Sequence, residues 1–230
     1  MTCLTAIIPA KSYSERFPNK NIRNFLGRPL LWYTIQCALN SDSIKRIIVS
    51  TDNNETAEMA EKYGAEVPFL RPQELSCPDT PMKDVITHAF NTVVNDESLV
   101  VLQPTSPLRL PCDIDGAANL FFSYENAGVG SVVPLKTPGG IFTLSSDFRA
   151  CPLNYCSRNS KIFTFNGAVY IVKRKVIDGG IFLGNNFSAY LMPQERSVDI
   201  DFELDLKTAH FLAKENKLDE IFNQWEKNRR

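Results

Sequence analysis

Residues 4–21, Leu4-Thr5-Ala6-Ile7-Ile8-Pro9-Ala10-Lys11-Ser12-Tyr13-Ser14-Glu15-Arg16-Phe17-Pro18-Asn19-Lys20-Asn21, change character once, at Ala10. The first five are apolar or β-branched without alternation, which is what a strand covered on both faces requires. After Ala10 the chain is polar. Lys11, Arg16 and Lys20 follow at intervals of four or five residues, with the small hydroxyl of Ser14 between them. A triphosphate needs several cations and backbone N–H donors converging on one loop. A solvated connecting loop that is basic by composition fits the same residues.

Working outward, residues 30–40 place Leu31, Ile35, Ala38 and Leu39 on one helical face. The run 46–51 reads as a second strand. Residues 54–63 read as a surface helix stopped by Gly64. Residues 66–70 read as a short strand whose Pro68 suits an edge. Residues 82–95 form a helix, 98–103 a third buried strand, and Asp113 is a candidate cap for a helix over 114–125. Strands alternating with helices predict an α/β domain, three layers in α/β/α order, around a mostly parallel Rossmann-like sheet. The second half has strands at 129–134, 165–172 and 189–193. Residues 135–165 show no helical period and read as an arm or lid on a single domain spanning 1–230. Residues 206–225 return to a helix with Leu206, Ala209, Leu212, Leu218, Ile221 and Trp225 inward.

In open parallel sheets, ligands bind beyond the carboxyl ends of the strands. That rule selects the loops after Ala10, Ser50 and Gln103, and the segment around Asp199. In the last, Asp199-Ile200-Asp201 in an extended strand would project both carboxylates to one side. Carboxylates at that spacing can hold Mg²⁺ or Mn²⁺ with substrate oxygens completing the shell. A solvated strand end and helix cap is the plainer reading of the same residues.

Composition narrows the function classes. The chain has 230 residues and a net charge of −1, so it offers no global case for nucleic acid or a membrane surface. No signal peptide or spanning segment is evident, and none of the six cysteines forms a CxxC pair. The expectation is a cytoplasmic protein with free thiols packed mostly as small hydrophobes. GxxxxGK[ST], GxGxxG and GxSxG are all absent. The two histidines, His88 and His210, fall inside expected helices, which disfavours Ser-His-Asp, Cys-His and zinc mechanisms.

The stretch Ile7–Ile22 resembles the opening signature of the CMP-sialic acid synthetases and of the related CMP-Kdo synthetases. Further pieces follow in order: Phe25–Leu31, Ile47–Asn53, Leu70–Leu75, Leu102–Arg109, Phe165–Ile171 and Val198–Leu206. The resemblance implies the nucleotide-diphospho-sugar transferase fold and CMP transfer from CTP to an acidic 2-ulosonic sugar. It implies that Lys11, Ser14, Arg16, Lys20 and Asn21 cradle the CTP phosphates. Arg71 would recognise cytosine with the Asp79-Thr80 turn, where Pro81-Met82-Lys83 replaces the family's serine-bearing pattern. Gln103 and the loop Pro104-Thr105-Ser106-Pro107-Leu108-Arg109 would line the nucleotide–sugar junction, Asn166 and Gly167 the sugar, and Asp199 and Asp201 the metal. Arg158 would reach a carboxylate, across a homodimer interface formed by the arm.

Three departures stand out. Lys11 replaces an arginine, Glu15 a lysine, and Thr164 an arginine ahead of Asn166-Gly167. Sialic acid, legionaminate and pseudaminate are the leading acceptors. Kdo, its 8-amino analogue and a phosphonate are the nearer alternatives, and a non-catalytic nucleotide-binding protein is the further one.

Overall fold

A computed structural model describes residues 3–93, 96–124, 127–135, 142–144, 150–152, 161–184 and 186–227. The strands are β1 (Leu4–Pro9), β2 (Asn24–Phe25), β3 (Arg28–Pro29), β4 (Ile44–Ser50), β5 (Ser98–Val101), β6 (Gly128–Pro134), β7 (Phe142–Leu144), β8 (Ala150–Pro152), β9 (Phe163–Lys173) and β10 (Phe187–Leu191). The helices are α1 (Leu30–Leu39), α2 (Asn54–Lys62), α3 (Met82–Val93), α4 (Pro111–Ser123), α5 (Arg174–Asp178), α6 (Glu203–Glu215) and α7 (Leu218–Lys227).

The main sheet has six strands in the order β10-β6-β9-β5-β1-β4. The β1–β4, β1–β5 and β6–β10 pairs are parallel, and β9 runs antiparallel to both its neighbours. β1 is buried on both sides, as its composition requires: Ala6 and Ile8 join one apolar cluster and Ile7 the other. The first cluster takes in α1, α4, α6 and α7, the second α3 and α5. Helices therefore cover both faces, giving the expected three layers. Each fully buried Leu or Ile in these clusters contributes about 1.5–3 kcal/mol.

The single reversed strand positions the site. Because β9 opposes β5, pairing Tyr170 with Val101, its Asn166-Gly167 segment lies at the same sheet edge as the carboxyl ends of β1, β4 and β5. Gly167 takes φ 76° there, a conformation that favours glycine.

Several local expectations are corrected. The strand at 66–70 reduces to two isolated bridges, Ile48 to Glu66 and Thr51 to Leu70, since Pro68 has no N–H for a ladder. Helix α1 is buried from Leu30 through Ala38, while Leu39 is 41% exposed. It has no solvent face because α7 roofs it, with the Tyr33 and Phe222 rings 4.9 Å apart. Helix α4 starts at Pro111, so Asp113 lies inside its first turn, accepting the Leu110 N–H at 2.9 Å. The C-terminal helix is two helices, broken where Lys217 takes φ 52°. The break shifts the phase, so Ala213 and Phe222 are buried and Leu212 and Ile221 only partly so. Of Cys3, Cys37, Cys77 and Cys112, Cys37 is buried, Cys3 half-buried, and Cys77 and Cys112 are exposed.

Of the expected arm over 135–165, the described part includes the antiparallel pair β7–β8. Arg158 lies outside the described residues.

Candidate active site

A cleft with about 140 Å³ of space opens at the carboxyl ends of β1 and β5, and its walls include Lys11, Lys20, Asn21, Arg71, Thr80 and Gln103. The basic loop after β1 forms one wall. Asn21 is buried and its Nδ2 donates to the Lys11 carbonyl at 2.9 Å, folding the loop back on itself. Lys11 Nζ donates to the carbonyls of Cys77 and Pro78 at 3.4 and 3.2 Å, spanning the cleft. Burial, then the charges of Lys20 and Arg71, lower the Lys11 pKa. This is a pocket crowded with cations. Ser14 is half-buried in the same loop, outside the cleft lining, and Glu15 is exposed.

The acidic segment faces this loop. Lys20 Nζ lies 3.0 Å from Asp201 Oδ1, and Arg16 Nη1 lies 2.9 Å from Asp201 Oδ2. Residues 197–201 are not a strand, contrary to expectation. They form an extended strap pinned at several points. The Ile200 N–H donates to the Thr105 carbonyl at 2.8 Å. Arg196 grips the fully buried Asp113 through two bonds of 2.7 and 3.0 Å. Asp205 accepts from the N–H groups of Asp201 and Phe202, at 2.9 and 2.8 Å, which starts α6.

Asp199 sits against Gly167. A Cβ on that glycine would come within 3.0 Å of Gln103 Oε1 and 3.1 Å of Asp199 Oδ2. Burial raises the Asp199 pKa and the charge of Asp201 adds to the rise, against the lowering by a hydrogen bond from Thr105. A buried carboxylate whose ionisation a second carboxylate disfavours suits a divalent cation shared with it. Their hard oxygens and the space left by Gly167 fit Mg²⁺ or Mn²⁺. Among the described residues no group of three or more His, Cys, Asp or Glu side chains converges, so substrate oxygens would have to supply further ligands.

Arg71, on the loop beyond β4, is 4% exposed. Its Nε donates to Ser76 Oγ at 3.1 Å, while its Nη2 has no hydrogen-bond partner. A buried guanidinium with a free N–H in a cleft wall is costly, about 1–3 kcal/mol or more, unless a ligand supplies the acceptor. Thr80 and Met82 line the same part of the cleft. Asp79 is exposed outside it, and Lys83 turns to Asp84 at 3.7 Å.

Some expected residues turn inward. Ser106 is 1% exposed, beneath Gln103 rather than on the cleft surface. Asn166 Oδ1 accepts from Ser131 Oγ at 2.6 Å and its Nδ2 donates to Ser197 Oγ at 2.9 Å. Its side chain thus ties β6 and β9 to the strap that carries Asp199. Thr164 is exposed on an apolar face with Phe163, Phe165, Phe187 and Leu191.

Two residues were missed in the sequence, and a third was misplaced. Asp52 accepts from the Ser12 N–H and hydroxyl at 2.8 and 2.6 Å; its place directly after β4, in a loop the ligand rule selects, was the available signal. Tyr170 packs on Phe182 with ring centroids 5.3 Å apart, and burial, then the charge of Asp199, push its phenol up to about 12. Arg109, expected with its loop at the nucleotide–sugar junction, is instead 1% exposed and donates from Nη1 to the Ala168 carbonyl at 2.7 Å and from Nη2 to Thr34 Oγ1 at 2.8 Å. A fully buried arginine serving main-chain carbonyls has no periodic signature.

A doubly covered, mostly parallel sheet with cations and aspartates gathered at one strand-end cleft is the architecture of an α/β nucleotidyltransferase. The family model for cytidylyltransferases matches residues 5–228, and the chain belongs to that family. It is 36% identical over 216 residues to an N-acylneuraminate cytidylyltransferase of Escherichia coli, covering 90% of this chain. The chain spans about half of that relative, 51% of its length. It is 33% identical over 220 residues to the CMP-N,N'-diacetyllegionaminic acid synthase of Legionella pneumophila, covering 88% of this chain and 92% of that one. In fold it resembles a CMP:2-keto-3-deoxy-manno-octonic acid synthetase complexed with CTP, with a TM-score of 0.71. That match covers 94% of this chain and 100% of the other at 15% identity.

Proposed function

We propose that this protein transfers CMP from CTP to the anomeric hydroxyl of a nonulosonic acid, a sialic, legionaminic or pseudaminic type of sugar, releasing pyrophosphate. The observation that carries this reading is the meeting of Lys20 and Arg16 with Asp201 at the edge of the cleft that holds Arg71 and Gln103. The relatives that act on such acids favour a nonulosonate over the shorter Kdo.

The residues divide the work by position. Arg71 offers its unpartnered Nη2 to an acceptor on the base. Lys11, Lys20 and Arg16, with the Asn21 turn behind them, take the triphosphate. The sugar hydroxyl oxygen attacks the α-phosphorus in line, the bond to the β-phosphate oxygen breaks, and the hydroxyl proton passes to water. Charge grows on the departing pyrophosphate, where Lys20 and Arg16 stabilise it. Asp199 and Asp201 would hold Mg²⁺ or Mn²⁺, which supplies charge neutralisation on phosphate oxygens when bound. Gln103 and Gly167 lie where nucleotide and sugar would meet, and the Asn166 side chain holds that floor in place.

The protein acts in the cytoplasm, where CTP is made, and as a homodimer. Phe163, Phe165, Phe187 and Leu191 are each at least 38% exposed on one sheet face beside the arm, an apolar patch that a second copy would cover.

The test is pyrophosphate release from CTP with a panel of N-acetylneuraminate, legionaminate, pseudaminate, Kdo and 8-amino-Kdo. Release with a nonulosonate and formation of its CMP ester is the expected outcome. CTP binding without release on any acid would leave a nucleotide-binding protein without transferase chemistry.

A further inference from the structure

The Asp52 carboxylate stands between two parts of the site that the sequence holds far apart. On one side it accepts the N–H and hydroxyl of Ser12, at 2.8 and 2.6 Å, in the loop that carries Lys11. On the other, its Oδ1 lies 3.8 Å from Arg71 Nη2. That is an ion-pair distance, too long for a hydrogen bond, so Nη2 keeps a free N–H while its charge is anchored. Arg71 is held from behind as well: its Nε donates to Ser76 Oγ, which donates to the Pro72 carbonyl at 3.2 Å, and its own N–H donates to the Thr51 carbonyl at 2.7 Å. Asp52 is the charged member of this set and the one that also touches the phosphate side.

We infer that Asp52 is a positioning residue that locks the loop around Ser12 and the Arg71 guanidinium into one frame, and so sets the selectivity of the site for its nucleotide base. The inference rests on the proposed reading in which Arg71 faces the base. Cytosine presents adjacent acceptors at N3 and O2, whereas uracil carries a hydrogen on N3. A guanidinium fixed in orientation distinguishes the two; one free to swing does not. The titration of Asp52 is consistent with its ties to both sides. Burial, the largest single cause, would raise its pKa, but the hydrogen bonds from Ser12 and from its own backbone N–H, with the charge of Arg71, together hold it below the usual carboxylate range.

The readout is the ratio of kcat/KM for CTP to that for UTP, measured with the same acid acceptor. Both values come from one preparation, so the ratio is insensitive to the folded fraction, which a merely structural role would change. Asp52→Asn keeps the shape and one acceptor oxygen while removing the charge. It is expected to raise KM for CTP and to lower the ratio at least fivefold. Arg71→Met, which removes the base-facing donor itself, is measured beside it. A wild-type ratio in Asp52→Asn together with a collapsed ratio in Arg71→Met overturns the role of Asp52 alone. A wild-type ratio in Arg71→Met overturns the base reading on which it rests. Should Asp52→Asn yield no folded protein, Ser12→Ala, which removes one of the two bonds on the carboxylate, is read by the same criterion.

Discussion

Lys20 Nζ lies 3.0 Å from Asp201 Oδ1, a contact between residues 181 positions apart in the chain. In the free protein Asp201 is neutralised on both oxygens, by Lys20 and by Arg16. On the proposed reading, a triphosphate entering the cleft would offer these cations a stronger anion and free the carboxylate. Exchange of this kind joins the two halves of the site through their ligand.

Lys20→Ala is expected to lower kcat/KM for CTP by about 10²–10³, the usual loss when a group stabilising transition-state charge is removed. Pyrophosphate release at subsaturating CTP measures it. A loss below about tenfold, roughly 1.4 kcal/mol in the barrier, would place Lys20 outside the phosphate site.

The cysteines give a chemical test of the cleft. Cys77 is exposed and lines it, whereas Cys37 is buried and its thiol is pushed by that burial up to about 12. Iodoacetamide at pH 8 should modify Cys77 and spare Cys37 in the folded protein, and saturating CTP should slow the Cys77 reaction. Mass spectrometry of the labelled peptides reads both. Equal labelling of Cys77 with and without CTP would remove the nucleotide from this cleft.

Arg109→Met should be costly to the fold. The guanidinium serves the Ala168 and Gln103 carbonyls and Thr34 Oγ1, and its loss leaves buried acceptors without donors. A destabilisation of about 2–4 kcal/mol is expected, a Tm fall of roughly 5–15 °C for a domain of this size. A Tm within two degrees of wild type, on the order of 1 kcal/mol or less, would contradict this.

His88 gives the fold a mild acid sensitivity. Burial, then the charge of Arg71, push its imidazole below the ordinary value of 6.5, with Glu74 opposing. Its Nδ1 is buried without a hydrogen-bond partner, and its ring meets Phe69 edge-on at 4.7 Å. The unfolded chain takes up a proton near pH 6.5 that the folded chain resists. Stability from neutral His88 is therefore complete above about that pH and is lost as pH falls through the lower folded value. His88→Phe should remove this dependence. Urea midpoints from pH 5 to 8 should show wild type losing ground to the variant only on the acid side, and a constant difference would refute it.

The sheet was legible because its cause is local: unbroken apolar runs at β1, β4 and β5 admit only buried strands, and turn residues mark their ends. The meeting of the basic loop with Asp201 was legible from the strand-end rule together with family resemblance, though not from spacing. Asp199-Ile200-Asp201 works as a strap, not a strand, because Arg196, Ile200 and Asp205 hold it by contacts with Asp113, Thr105 and the start of α6. Such tertiary anchors leave no period in the sequence. The same holds for Asn166 and Ser106, to which the family resemblance assigned ligand contacts and whose side chains face the interior. Burial of α1 on every side depends on α7, nearly two hundred residues later.

The most direct test of the shared site is Mn²⁺ binding followed by electron paramagnetic resonance, with and without CTP. The expected result is tight Mn²⁺ binding only when CTP is present, weakened at least tenfold in Asp201→Asn and again in Lys20→Ala. Equal Mn²⁺ affinity with and without CTP, or CTP-dependent binding unchanged in both variants, would show that the cations and the aspartates do not serve one ligand.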